Sequence, residues 1–289
     1  MRVEEVLEVI GSKESGSVSP WDKVIIAMIR RAKIRFNYKI WIVFDFANTF
    51  FMVLTYFLLA FIVKPESISQ AGYGQSYFTF ALIGIAVSHY VTASLRSLSI
   101  TLRFEQFHGT LESVLSTPTS FIIIFLGDVL YYFLYSTAFL VLIIGIGLAL
   151  NAALVINLET MLTLSILVIL LVLANLPIGI ISAAMVLRFK QGDPIGWLIT
   201  WINNLLSGVF FPVLLLPTQL RFVSLLLPLT FSLDAIRYSL IWGANLLHSR
   251  IIRDILYMVI YIVVGYPISI KIFSIAYDSV RKRGELSAY

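Results

Sequence analysis

The chain has 289 residues, of which 59% are apolar and 13% charged, with mean hydropathy +0.93. A soluble domain is roughly one quarter charged, so an ordinary water-soluble enzyme is excluded. Cysteine is absent, which removes disulfides, thiolate nucleophiles and Cys-based metal sites, and the excess of 21 Lys and Arg over 16 Asp and Glu is read as a reporter of membrane orientation, not of nucleic-acid binding.

Residues 1–39 form an expected cytoplasmic N-terminal segment. After a short Val3, Val6, Leu7, Ile10 stripe, GSKESGSVS over 11–19 reads as a flexible linker. Ser19-Pro20-Trp21-Asp22 has the form of a helix start, with Ser19 as N-cap and Pro20 at the first position. Beyond it Trp21, Val24, Ile25, Met28, Ile29, Ala32 and Phe36 recur at three- and four-residue spacing with Lys23 and Arg30 opposite. That pattern predicts an amphipathic helix lying on the inner membrane face, its polar side open to a cytoplasmic partner. The first apolar run begins near Ile40, after eight cations and with no small-residue cleavage site behind it, so no signal peptide is expected.

A hydrocarbon core about 30 Å thick needs roughly 20 apolar residues per helical crossing. Six spans are predicted, over 40–63, 75–100, 119–150, 158–187, 195–216 and 252–277, making an all-α polytopic membrane protein with one permease domain over 40–277 and a cytoplasmic tail over 278–289. With the N-terminus inside, sixteen of the 21 cations lie in inner segments and five, Lys64, Arg221, Arg237, Arg250 and Arg253, lie outside, which places both termini in the cytoplasm. Residues 217–251 are too apolar for a solvated loop, and Pro228 interrupts their longest run. They are expected to dip back into the membrane and be buried by protein there. The three histidines, His89, His108 and His248, fall in separate segments with no ligand spacing.

Between the second and third spans, Phe104, Phe107, Leu111, Val114 and Leu115 occupy one helical arc, and Glu105 and Glu112 fall beside it. A short amphipathic helix over 104–118, stopped by Pro118, is predicted. This stretch, EQFHGTLESVLSTP, resembles the segment joining the second and third spans of type-2 permeases of ATP-binding-cassette exporters. The resemblance returns over 203–243, NNLLSGVFFPVLLLPTQLRFVSLLLPLTFSLDAIRYSLIWG, which is similar to that family's fifth span, Ser-Gly-x-x-Phe-Pro turn and Pro-Leu-Thr step ending in an Arg.

The resemblance implies a coupling helix that seats in a groove of a separate ATPase subunit, with Glu105, Gly109, Thr110, Leu111, Glu112 and Pro118 as its residues. An apolar ridge with an acidic edge suits such a groove. It also implies a second permease copy or paralogue, with Phe210, Phe211 and Pro212 near a constriction of the shared pathway; Asn203, Asn204, Ser207 and Gly208 are read as close-packing groups of the fifth span that a substrate could also meet. No Gly-x-x-x-x-Gly-Lys-Ser/Thr loop occurs, so ATP and Mg are expected on the partner ATPase, not on this chain.

Polar residues within spans are few: Asp45 and Asn48 on one face of the first, His89 in the second and Asp128 in the third. Asp45 is read as reaching the cytoplasmic interface, and His89 and Asp128 as hydrogen bonding across helices. The expected function is export of lipophilic or amphipathic cargo, drug-like or lipid-like, across the cell membrane, with polysaccharide or glycolipid as an alternative cargo. A different class, a proton- or ion-coupled secondary transporter using Asp128 and His89, would need no coupling loop. A membrane-embedded enzyme lacks a catalytic set.

Overall fold

The computed structural model describes residues 19–74, 76–111, 113, 120–189 and 194–282. Ten α-helices carry them: α1 Pro20–Asn37, α2 Lys39–Leu59, α3 Glu66–Ser69, α4 Tyr77–Phe107, α5 Phe121–Ala149, α6 Leu158–Phe189, α7 Pro194–Leu206, α8 Thr218–Leu225, α9 Pro228–Trp242 and α10 Ser249–Lys282, with a 3-10 turn at Val213–Leu215. No strand occurs among the described residues. Five helices, α2, α4, α5, α6 and α10, are long and apolar enough to cross a membrane, and the bent pair α8 and α9 makes a sixth if counted as one span. The chain is a polytopic all-α membrane protein.

Local sequence fixes the helix ends. Pro20 opens α1, although Ser19 in the N-cap position makes no side-chain cap bond. Ser76 accepts the Thr79 N–H at the start of α4, and Ser120 accepts the Ile122 N–H at the start of α5. At α6 the Asn157 Oδ1 accepts the Thr160 N–H at 2.8 Å while Thr160 Oγ1 accepts the Asn157 N–H at 2.9 Å, a reciprocal cap. Gly243 closes α9 with φ 68°, the left-handed geometry that a helix C-terminus favours.

The central element is α4, whose most apolar stretch is 83% buried, against 11% for α2 and for α10. It packs against α5, α6 and α9, while α6 also packs along α10. The apolar core includes Leu82, Ile85 and Tyr90 of α4, Ile143 of α5, Leu167 and Leu171 of α6, and Ile236 of α9. A second cluster joins Leu98, Leu102 and Leu111 to Ile180, Ala183 and Leu187, with Phe273 and Tyr277 against it. The C-terminal part of α10 therefore returns to the end of the bundle where α1 lies. We call this the α1 end, and the opposite one, built from α8 and α9, the hairpin end.

Three expectations take a different form. The fifth predicted span, 195–216, is no continuous helix: α7 has 13 residues, about 20 Å at roughly 1.5 Å per residue, short of the ~30 Å core. It ends at the turn containing Gly208, where φ is 83°. The predicted helix over 104–118 is likewise interrupted. Residues 104–107 complete α4, and Gly109, with φ 66°, ends that run. Glu112 and Pro118 lie outside the described residues, as do the predicted N-terminal stripe and residues 283–289 of the tail. The N-terminal helix, finally, does not only rest on a membrane surface: Val24, Ala27 and Arg31 are buried, packed on α5 at Gly127, where a methyl would stand 2.5 Å from Ala27 Cβ.

The segment over 217–251 becomes α8 and α9, bent by 86°. Most of α9, from Pro228 to Leu240, is buried, packed on α6, α10 and α4. Protein thus encloses α9 itself, whereas Leu214, Leu215 and Leu226 in the chain before it remain exposed.

Candidate functional site

The α1 end holds a polar node built from three helices. Arg31 of α1 is 4% exposed and pairs with Asp128 of α5, which is 0% exposed. Thr101 of α4 donates to the same carboxylate at 2.5 Å and accepts from Arg31 at 2.9 Å. The Arg31 guanidinium also lies 5.5 Å from the centre of the Phe104 ring. Burial works against the Arg31 charge, but the bond to Asp128 and that carboxylate's field hold its pKa above the ordinary arginine value.

One residue earlier on α1, Arg30 donates to Glu105 at 2.8 Å, and Thr110 Oγ1 donates to the other oxygen of Glu105 at 2.5 Å. Thr110 N–H also reaches the Glu105 carbonyl at 2.9 Å, which closes the turn around Gly109. Glu105 is 2% exposed. It braces the loop after α4 against α1 and does not present a free acid to a partner, as its helical phase had implied. Leu111 is also turned inward, 1% exposed between α4, α6 and α10. After Glu105 the chain exposes Phe107, His108, Gly109 and Thr110. The His108 ring packs on Phe104 and Phe107.

A second polar group lies along α2. Asp45 pairs with Arg35 of α1 and accepts from the Tyr135 hydroxyl at 2.6 Å, while Asn48 on the same helix face is exposed. His89 of α4 contacts Thr49 Oγ1 at 3.4 Å and stacks on Phe139 with centroids 4.8 Å apart. Asp128 and His89 share no partner among the described residues, so nothing there supports a proton relay through the two of them.

Around the break in α7, the expected pathway residues are mostly turned inward. Asn203 donates to Asn175 of α6 at 3.4 Å and accepts from Ser207 at 3.0 Å. Asn203, Ser207, Gly208 and Pro212 are buried, and Asn204, Phe210 and Phe211 are half-buried. The Phe210 ring stacks on Tyr56 of α2, centroids 5.2 Å apart and planes 5° apart, and its carbonyl accepts from the Tyr77 hydroxyl at 3.1 Å. Asn203, Ser207 and Phe210 thus make hydrogen bonds or ring contacts within the chain. The exposed face of α7 is instead Trp197, Leu198, Trp201, Ile202 and Leu205, an apolar arc of about 140° at roughly 100° per residue. The periodicity carried that face, but attention to the polar residues of the span passed over it.

The hairpin end accounts for two of the five cations placed outside, Arg250 and Arg253. Arg250 grips Asp234 of α9 with bonds of 2.9 and 2.8 Å, Arg253 adds one at 3.1 Å and pairs with Asp254 at 2.8 Å, and the Tyr73 hydroxyl donates to Asp234 at 2.6 Å. Burial, then the Asp234 charge, raises the Tyr73 pKa, which keeps it a donor. Arg250 and Arg253 are thus paired with carboxylates within the fold.

Residues 23–241 match the family model described as ABC-2 type transporter, and a comparison with curated proteins gives no match. The chain belongs to the ABC-2 type transporter family. The matched region runs from α1 into the last turn of α9, so it takes in the α1-end node, the break in α7 and Asp234 with Tyr73, but not Arg250, Arg253 and Asp254. The ABC-2 type domain is the transmembrane component of an ABC transporter, not its nucleotide-binding one, and this chain is a multi-pass membrane permease of that kind.

Proposed function

We propose that this chain is the permease subunit of an ATP-driven exporter, working with a second permease copy or paralogue and with separate ATP-binding-cassette subunits that hold ATP and Mg. Its α1 end faces the cytoplasm of a cell-membrane transporter and receives the ATPase. Phe107, His108 and Gly109, with Glu112 and Pro118 carried over by the family resemblance, form the contact. Lipophilic or amphipathic cargo, drug-like or lipid-like, suits spans that carry so few charges.

The observation that carries this reading is the bracing of the loop after α4. Glu105 ties it to Arg30 and to Thr110, and Leu111 anchors it in the bundle. A loop merely resting at a surface needs no such brace. A push on Phe107 and His108 is delivered through Arg30 and Arg31 to α1 and α5, and through Leu111 to α6 and α10, so movement of the partner reaches the spans as movement of packed elements.

Glu112→Lys tests the contact. The tagged chain, purified from its own membrane, should bring down an ATP-hydrolysing subunit in the parent form and several-fold less in the variant, at equal membrane yield. Equal capture and equal hydrolysis in the two preparations would contradict the docking role.

A further inference from the structure

The break between α7 and the 3-10 turn is held from α9. Where α7 stops, the carbonyls of the next residues lose their helical partners, and at membrane depth they must find others in the protein. Arg237, 2% exposed, supplies them. Its Nη1 donates to the Gly208 carbonyl at 2.7 Å, its Nη2 to the Val209 carbonyl at 2.9 Å, and Nη2 and Nε reach the Phe80 carbonyl at 3.1 and 3.3 Å. The guanidinium lies 3.5 Å from the centre of the Phe80 ring. Among the described residues no carboxylate bonds to it. A planar fork of five donors can join two successive carbonyls of the turn to one on α4 from fixed positions, whereas a lysine ammonium offers three donors from one point.

The surroundings fit this contact. Gly84 on α4 leaves the space: a methyl there would stand 2.1 Å from the Val209 oxygen and 2.8 Å from Arg237 Nη2. Three residues before Arg237 on α9, Asp234 is fixed by Arg250 and Arg253 of α10 and by Tyr73. One helix, α9, therefore joins the first turn of α10 on one side to the broken segment of α7 on the other.

We propose that Arg237 is a positioning residue for the turn over 207–212. It pins Gly208 and Val209 to α4 and α9, so that the turn carrying Phe210 and Phe211 follows those helices as a unit during the transport cycle. The consequence for transport rests on the permease reading above; the position of the turn does not.

Because the chain has no cysteine, one introduced thiol reports the turn cleanly. Phe211→Cys is reacted with a water-soluble maleimide in the whole purified chain in lipid nanodiscs, alone and combined with Arg237→Met, Arg237→Lys or Gly84→Ala. The labelling rate should rise about fivefold or more with Arg237→Met, rise less with Arg237→Lys, which keeps the charge and loses the fork, and rise again with Gly84→Ala, which strikes the same carbonyl from the other side. Equal rates in the parent and in Arg237→Met would overturn the assignment. If Arg237→Met does not accumulate, Gly84→Ala decides: faster labelling supports the role and an unchanged rate overturns it. Failure of transport with any ATPase would overturn the permease reading and leave the labelling result to decide on Arg237.

Discussion

Asp128 is enclosed by Arg31 and Thr101, so removing its charge leaves a buried guanidinium without a counter-ion. Breaking a buried pair from one side costs about 3–5 kcal/mol, whereas replacing both members by apolar groups of similar size is often neutral. Asp128→Asn should therefore lower the thermal unfolding midpoint of the detergent-purified chain clearly, and Arg31→Met with Asp128→Leu should recover most of the loss. A midpoint unchanged by Asp128→Asn would show that the pair does not carry the junction. Asp128 stood out in the sequence as an isolated charge within a span and Glu105 as one of two acids beside an apolar arc, but their partners did not stand out. Arg30 and Arg31 lie 75 and 97 residues from Glu105 and Asp128, and helical periodicity relates only residues on one helix. It assigned Arg30 to the polar face and said nothing of Arg31, which the structure buries.

Among the elements, α1 shows how a short apolar stripe can serve two surfaces. Trp21, Ile25 and Phe36 stay exposed while Val24, Ala27 and Arg31 face α5. Gly127 makes the approach possible, since any side chain there meets the α1 backbone and Ala27. Gly127→Val should lift α1 without unfolding the spans. Amide hydrogen exchange over residues 24–31 is expected to rise at least tenfold, with the α4 and α6 core unchanged; unchanged protection over 24–31 would refute the docked position. Helix existence was legible in the hydrophobic runs of α2, α4, α5, α6 and α10, and α1 in its start signal. The interruptions were less so. Gly109 and Gly208 both adopt positive φ, and a glycine at the end of a periodic run is a stop signal that a long apolar pattern masks. The amides of Asn203 and Asn204 beside Ser207 and Gly208 marked the place of the α7 break, but not Arg237, whose role depends on α9 folding back.

At the scale of the molecule, α4 is enclosed and α2, α10 and one face of α7 are not. Lipid can cover α2 and α10. The paired tryptophans of α7, Trp197 and Trp201, 5.8 Å apart, lie on the short helix that does not span, and in the proposed assembly they meet the second permease. Replacing both by serine should shift the chain in nanodiscs from two copies toward one, read by single-molecule photobleaching, with its helical content kept; an unchanged copy number would remove α7 from the interface. The all-helical polytopic architecture was legible in composition together with apolar runs of about 20 residues, because in lipid only helices and closed barrels satisfy the backbone and a barrel strand needs only about ten. Assembly was not legible, because the surfaces that would meet are apolar whether lipid or protein covers them.

ATP-driven transport in proteoliposomes is the decisive measurement. A fluorescent amphipathic solute should be moved only when this chain is reconstituted with an ATP-binding-cassette ATPase subunit and ATP is supplied on the side of the α1 end, and Glu112→Lys should cut that rate several-fold. Transport driven by an imposed proton gradient with this chain alone, and indifferent to ATPase and to Glu112→Lys, would contradict it.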